Sequence, residues 1–402
     1  MGIKNATDFL RRLEGKGMLL GLERIQKFLG FIGDPEKSFN SVHIAGSKGK
    51  GSTCAFVERI LREAGYKTGL YTSPHLLKLN ERIRVNGKQI SDAMLFGLVA
   101  EARKEMLKSG VELTYFEFLT ALAFKHFAKS NVDFAVVETG MGGRLDATNV
   151  LQPMACAITN IELEHTEHLG LSVEKIAAEK AGIIKKGIPV ATAEQKESVL
   201  NVFRKKCGKE NADLVVVKNP FEGKIGLLGS FQKMNAALAI AIVQELQKQG
   251  IKISPAAIRA GLAKAEWPGR MQVLQRNPTV IADCCHTPAS AKALACSFKE
   301  NFPQKKAVLV VGISNDKGLE GISSSLAGIS QKAFAAESKT KPMPAEKVAA
   351  AFQKKGVAAK IFPSIPEAVK KALSAAGKGD IVLIAGSCFV VGEAMAALKK
   401  GF

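Results

Sequence analysis

Short apolar runs alternate with amphipathic segments from one end of the chain to the other, and that alternation limits the folds open to it. Runs at 41–45 (SVHIA), 133–138 (DFAVVE), 154–160 (MACAITN), 188–192 (IPVAT), 213–217 (DLVVV), 279–283 (TVIAD), 307–313 (AVLVVGI), 332–336 (KAFAA) and 380–385 (DIVLIA) read as strands. Between them the spacing predicts helices over 53–64, 92–108, 115–129, 173–184, 234–249, 255–264, 289–300, 344–355 and 365–376. Such a succession predicts an α/β protein with largely parallel sheets. The pattern breaks at "AKAEWPGRMQVLQRNP", where Pro268, Gly269 and Pro278 fall close together, and then begins afresh. We place a domain boundary near residue 274. That gives a larger N-terminal domain, 1–274, and a compact, doubly wound C-terminal domain, 275–402.

The stretch "SVHIAGSKGKGSTCAFVERIL", Ser41 to Leu61, runs from a strand through a knot of glycines and lysines into a helix. Backbone N–H groups at a helix start, backed by its dipole, attract phosphate oxygens. Glycines let the chain wrap closely, and a lysine adds a point charge at the terminal phosphates. The strict Walker spacing fails, because Gly51 separates Lys50 from Ser52 and Ile44 stands where the first glycine belongs. The order of elements still reads as a phosphate loop, against the alternative of a plain glycine-rich turn.

Charge then asks what the partners are. The formal balance of +20 implies acidic ones: nucleic acid, an anionic membrane or small polyanions. The lysines are dispersed, as in "FRKKCGKEN", and 6% aromatics offer little for base stacking, so nucleic acid is not expected. No apolar run is long enough to span a bilayer, and the first residues lack the apolar stretch of a signal peptide. Seven cysteines, an odd number without a C-x-x-C pair, point to reduced thiols. A cytoplasmic monomer without membrane contact is the expectation. Cys284, Cys285 and His286 are adjacent, but neighbours on a strand face opposite ways, which argues against zinc there.

The blocks "HIAGSKGKGSTC", "GLYTSPHLLKLNERIRVNG", "VVETGMGGRLDATNV", "ITNIELEHTEHLG", "IAAEKAGIIKKGIPV", "WPGRMQVL", "DCCHTPAS" and "DIVLIAGSCFVVGEA" follow one another from about Leu19 onward. In this order the chain resembles the folylpolyglutamate synthase and dihydrofolate synthase branch of the Mur ligases. The resemblance implies an N-terminal P-loop ATPase domain and a smaller Rossmann-like domain. It implies a magnesium-dependent ligase that joins L-glutamate to a folate or dihydropteroate carboxylate. ATP activates that carboxylate as an acyl phosphate, which the glutamate amine then attacks. Because negative charge builds on phosphoryl oxygens, such chemistry needs cations and positioning more than covalent help.

Residue by residue, the resemblance implies that Gly49, Lys50, Gly51 and Ser52 cradle the ATP phosphates. Ser73 of "TSPH", Glu138 of "VETG" and His165 of "LEHTEH" correspond to magnesium ligands. Lys180 of "AEKAG" matches a lysine carried as a carbamate, which requires a depressed pKa; alone, it reads as a helix-surface lysine. Lys50, Lys180 and His165 are the catalytic candidates. Asn235, Arg270, Asp283 and His286 match contacts to ATP. Thr114, Tyr115, Phe116 and Glu117 of "TYFE", with Leu145, Asp146 and Ala147 of "LDA", match the pterin-binding segments. Without the resemblance, Tyr115 and Phe116 read as core aromatics.

Several positions depart from the family pattern. Lys48 replaces the usual loop asparagine, Phe231 replaces a histidine before Gln232, and Cys284–Cys285 replace a Gly-Ala pair. None touches the implied magnesium ligands. Two rivals follow: a Mur-type ligase with another acceptor, and a non-catalytic phosphate-loop protein. The second leaves "AEKAG" and "TSPHL" unexplained.

Overall fold

The computed structural model describes residues 3–15, 17 and 19–400. The chain divides into two compact units, Met1–Gly226 with Lys233–Ala265, and Leu227–Gln232 with Glu266–Phe402.

The first unit is built on strands β1 (Asn40–Ala45), β2 (Thr68–Tyr71), β3 (Ile83–Val85), β4 (Lys88–Gln89), β5 (Phe134–Glu138), β6 (Ala155–Ile158), β7 (Val190–Thr192) and β8 (Leu214–Val216). They form one sheet in the order β4-β3-β2-β5-β1-β6-β7-β8. From β2 to β8 every neighbouring pair is parallel, and β3 and β4 add an antiparallel edge. Every residue of β5, and all of β1 after Asn40, is buried, as expected of central parallel strands covered on both faces. The chain leaves β1 to one side for β2, and later passes β1 between β5 and β6. Winding therefore reverses at β1, and a crevice opens outside the carboxyl ends there.

Helix Tyr115–Lys129 is apolar around most of its circumference, with Phe118, Leu119, Leu122, Phe124 and Phe127 fully buried. A helix hydrophobic all round belongs in a core. Its partners include Tyr71, whose hydroxyl lies 3.2 Å from Thr120 Oγ1 and whose ring lies 6.0 Å from that of Phe116. This packing carries the start of the helix to the carboxyl edge of the sheet.

The second unit holds β9 (Gln272–Arg276), β10 (Thr279–Asp283), β11 (Ala307–Val311), β12 (Ser330–Ala335), β13 (Ala358–Ile361) and β14 (Ile381–Ala385), in the order β13-β12-β11-β14-β10-β9. All pairs are parallel except β9 with β10. The break placed near residue 274 falls inside β9, whose ladder with β10 ties it to this sheet, so the break moves back to Ala265/Glu266.

Each of the nine strands read from the sequence has a counterpart. Strands β2, β3, β4, β9 and β13 were not expected, nor were helices Ile3–Gly15, Glu23–Phe31, Glu197–Glu210, Leu319–Ala327 and Cys388–Lys400. Strands β3, β4, β9 and β13 lie at or next to a sheet edge and carry few buried residues, which removes the apolar signal. Among the described residues, no helix is long and apolar enough to cross a membrane.

Candidate active site

Strand β1 ends at Ala45, and helix Lys50–Glu63 begins five residues later. The turn between them needs glycine at two places. Gly46 has φ 140°, and a Cβ there would stand 1.7 Å from Thr159 Oγ1. Gly49 has φ 91°, and a Cβ there would stand 2.4 Å from Asn235 Oδ1. Only glycine adopts such angles without strain and permits such close approach. Asn235 is thus set against the loop it was expected to serve. Gly51 and Ser52 lie in the first turn of the helix, and Ser52 is buried. Lys50 Nζ donates to Gly46 O at 2.9 Å and approaches Ser47 O at 3.5 Å, so its charge lies over the loop.

Glu138 closes β5 beside this loop, for the register pairs Ile44 with Glu138. Ser73 follows β2, the neighbour of β5 on the other side, and its amide donates to Glu138 Oε2 at 3.2 Å. The buried Cys54 thiol is pushed up by burial and then by Glu138, and pulled back by Lys50, which places both charges around one point. Hydroxyls of Thr53, Thr139 and Thr159, the first two next in sequence to Ser52 and Glu138 and the third packed against Gly46, are buried without a hydrogen-bond partner. A glycine cradle, a carboxylate, hydroxyl oxygens and a lysine form a donor set that fits a hard divalent ion with a phosphate chain.

Lys180, which alone reads as a surface residue, is only 1% exposed. Its Nζ donates to Gly46 O at 2.9 Å and to Glu164 Oε1 at 3.0 Å, beneath the phosphate loop. Burial, then Lys50, bring its pKa down to about 8 against the pull of Glu164. Glu164 also faces Lys48 at 3.6 Å. Burial works against its ionisation, but Lys180, Lys50 and Lys48 together hold its pKa below the ordinary carboxylate value. His165 follows Glu164 with φ 48°, exposed at the head of the short helix Thr166–Leu169.

A cavity of about 250 Å³ opens at the same edge of the first unit. Six of the seven residues expected for a pterin line it: Thr114, Phe116, Glu117, Leu145, Asp146 and Ala147. Tyr115 does not; its ring instead packs with Arg82, whose guanidinium carbon is 5.8 Å from the ring centre and which does line the cavity. Ser73 is part of the wall as well. The wall is fixed by local bonding. Thr114 and Glu117 form a reciprocal cap, with Thr114 N donating to Glu117 Oε2 at 2.7 Å, and Arg24 pairs with Glu117 at 3.0 Å. Asp146 accepts from Met141 N at 2.8 Å and from Thr148 Oγ1 at 2.5 Å, and burial raises its pKa.

In the second unit Arg270, Asp283 and His286 gather at the carboxyl end of β10. Asp283 accepts from Met271 N and Cys285 N, both at 2.9 Å, so its carboxylate pins the Pro-Gly-Arg-Met turn. Burial raises its pKa, and Arg270 lowers it. His286 Nδ1 lies 3.0 Å from Cys284 O.

Two family models match the chain: the Mur ligase middle domain over residues 44–217, and the Mur ligase glutamate ligase domain over 269–388. The dihydrofolate synthase/folylpolyglutamate synthase of Bacillus subtilis is 35% identical, over 95% of this chain and 96% of its own. The chain belongs to this family. Solved structures agree. Escherichia coli FolC in complex with DHPP and ADP superposes with TM-score 0.87 at 30% identity, over 98% of each chain. The bifunctional Yersinia pestis enzyme complexed with AMPPNP and Mn ion gives TM-score 0.87 at 30% identity, over 99% of this chain and 98% of that one.

Within this Mur ligase frame, sequence reading missed Glu164 and Arg82. Both lie inside blocks that carry the resemblance, "LEHTEH" and "NERIRVNG", yet each looks like an ordinary surface charge. The signal for Glu164 was its place beside His165; the three lysines around it are neighbours in space, not in sequence.

Proposed function

We propose that the chain is an ATP-dependent ligase that adds L-glutamate to the carboxylate of dihydropteroate and of reduced folates through an acyl phosphate. One observation carries this reading: Ser73 belongs both to the wall of the cavity and, through its amide, to Glu138 beside the phosphate loop. A carboxylate extending from a ring system in that cavity lies toward the phosphate loop. Phe116 offers a ring face, Asp146 offers a buried acceptor for ring N–H groups, and Arg82 offers a charge for an acid.

The phosphate loop binds ATP through its backbone N–H groups at Gly49, Lys50, Gly51 and Ser52, and Asn235 supports the loop at Gly49. Lys50 exchanges loop carbonyls for phosphate oxygens and neutralises charge as it develops. Ser73, Glu138 and His165 would hold a magnesium ion, which supplies further neutralisation of the phosphoryl oxygens when bound. Lys180 is the carbamate candidate: its amine is half neutral near pH 8, and only a neutral amine takes up carbon dioxide. Glu164 keeps that amine beneath the loop. The assignment of Arg270, Asp283 and His286 to the nucleotide rests on their motifs, with Asp283 acting through the turn it holds. The Yersinia and Escherichia coli relatives named with nucleotide, Mn and DHPP support these ligands. We further propose a cytoplasmic monomer, which light scattering on the purified protein tests.

The decisive assay supplies labelled glutamate, ATP and either dihydropteroate or tetrahydrofolate. Glutamylated pterin, ADP and phosphate in equal amounts are expected with both acceptors. A product from one acceptor alone narrows the assignment. Phosphate release with neither product removes it.

A further inference from the structure

Parallel strands β10 and β14 leave the second sheet side by side, with Asp283 opposite Ala385. The turn after β10 carries Cys284, and the turn after β14 leads into helix Cys388–Lys400. Gly386, with φ 112°, lets that second turn pass close to Gly312 O, where a Cβ would stand 2.4 Å away. Ser387 then caps the helix, its Oγ accepting from Val390 N at 3.2 Å. These constraints fix Cys388 as the first helical residue. Its Sγ lies 4.0 Å from Cys284 O, toward which the thiol donates, so the two cysteines adjoin. Side chains of His286 and Arg270 complete the cluster, the imidazole Nδ1 lying 3.0 Å from Cys284 O.

The two thiols have opposite environments. The Cys388 thiol is held well below its ordinary range by the hydrogen bond from Cys284, with further help from His286 and Arg270 against burial. A helix N-terminus acts in the same sense. The Cys284 thiol is pushed up by its bond to Cys388 and by burial. Cys388 is partly buried, whereas Cys284 is closed off at 1% exposure. Among the described residues, no group of three His, Cys, Asp or Glu is arranged to hold a metal.

We propose that Cys284 and Cys388 form an oxidisable dithiol, a modification site that takes hydroperoxides and closes to a disulfide across the ends of β10 and β14. The Cys388 thiolate attacks one peroxide oxygen. An S–O bond forms, the O–O bond breaks, and hydroxide leaves to take up a proton as water. Cys284 sulfur then attacks the Cys388 sulfenic acid. The S–S bond forms, and the S–O oxygen departs as water with the Cys284 proton. Two thiols and one peroxide give one disulfide and two waters. A disulfide tolerates Cα atoms about 4.4–6.8 Å apart, and the two cysteines follow neighbouring parallel strands, Cys284 directly after Asp283 and Cys388 three residues after Ala385. Because Cys284 follows Asp283, the bridge also restrains the turn that holds Arg270, and turnover falls. That consequence rests on the assignment of this turn to the nucleotide; the disulfide itself does not.

The test exposes the full-length protein to hydrogen peroxide, caps remaining thiols with N-ethylmaleimide and maps tryptic peptides by mass spectrometry. The peptide carrying Cys284 and Cys285 is expected to be joined to the one carrying Cys388 in wild type and in C285S, and to separate after dithiothreitol. In C388S no bridge forms. In C284S dimedone traps a sulfenic acid at Cys388, which shows the order of events even where C284S is less stable. A bridge through Cys285 or Cys296, bridges only between molecules, or an unreacted Cys388 overturns the proposal. Ligase turnover is expected to fall several-fold in oxidised wild type, to recover with dithiothreitol, and to stay at the untreated rate in C388S. Turnover unchanged in a fully bridged protein leaves the dithiol standing and removes the turn from nucleotide handling.

Discussion

Each unit is a doubly wound sheet with loops at its carboxyl edge, and the two edges differ in what their polar groups do. At the first edge, Gly46 and Gly49 hold angles that only glycine tolerates, and hydroxyls of Thr53, Thr139 and Thr159 are buried without partners. Lys180 there is buried at a cost to its charge. At the second edge, both oxygens of Asp283 are satisfied by Met271 N and Cys285 N, and His286 is turned onto Cys284 O. One edge keeps buried polar groups unsatisfied, as a site prepared for a charged ligand does. The other is internally bonded. The fold supplies a crevice in both; the loops decide the chemistry.

The largest effect expected from this contrast is in turnover at the first edge. Lys50→Ala should lower kcat by about 10²–10³-fold, the range seen when a charge-stabilising donor is removed. Thermal unfolding should change little, since Lys50 bonds only to loop carbonyls in its own turn. Equal losses of turnover and stability would erase the distinction between the two edges.

Next comes the cost of the buried lysine. Its pKa falls from 10.5 to about 8, so between those values the unfolded chain holds a proton that the folded one has lost. Stability contributed by Lys180 therefore rises as pH climbs from about 8 to 10.5, by at most roughly 3–4 kcal/mol at about 1.4 kcal/mol per unit. Denaturant titrations from pH 7 to 10 should show this rise in wild type relative to Lys180→Met. Parallel curves would mean that the charge is not strained.

At the second edge the expectation reverses. Asp283→Ala leaves two buried amides unpaired and should cost about 2–3 kcal/mol, measured by denaturant unfolding. Turnover should fall less steeply than in Lys50→Ala.

The smallest effects compare two glycines. Gly379 has φ 87° with nothing near its absent Cβ, so Gly379→Ala should cost only the angle, about 1 kcal/mol, and leave the KM for ATP unchanged. Gly49→Ala adds a clash with Asn235 and should raise that KM at least ten-fold.

Much of this was legible in the sequence because central parallel strands are continuous apolar runs, as in "DFAVVE" and "DIVLIA". The strand–loop–helix of Ser41 to Leu61 appears where it was read. Edges were not legible: β13 carries no buried residue, and β2 ("TGLY") is four residues long with a glycine inside. Amphipathic helix Glu197–Glu210 was masked by its lysines, although Val199, Leu200, Phe203 and Cys207 form its buried stripe. At the site, motifs located Lys50, Ser73 and Glu138, but a lysine's burial has no local signature, so Lys180 alone reads as a surface residue. Arg82 and Glu164 acquire meaning only from what folding brings beside them. The same holds for Cys388, whose partner lies 104 positions away in the chain.

The central claim is that the cavity delivers a carboxylate to the phosphate loop. Dihydropteroate labelled with oxygen-18 in its carboxylate tests it directly, with glutamate and ATP present and the released phosphate analysed by mass spectrometry. Transfer of one labelled oxygen to phosphate for each amide bond formed is the predicted result. Glutamylated product accompanied by unlabelled phosphate would contradict it.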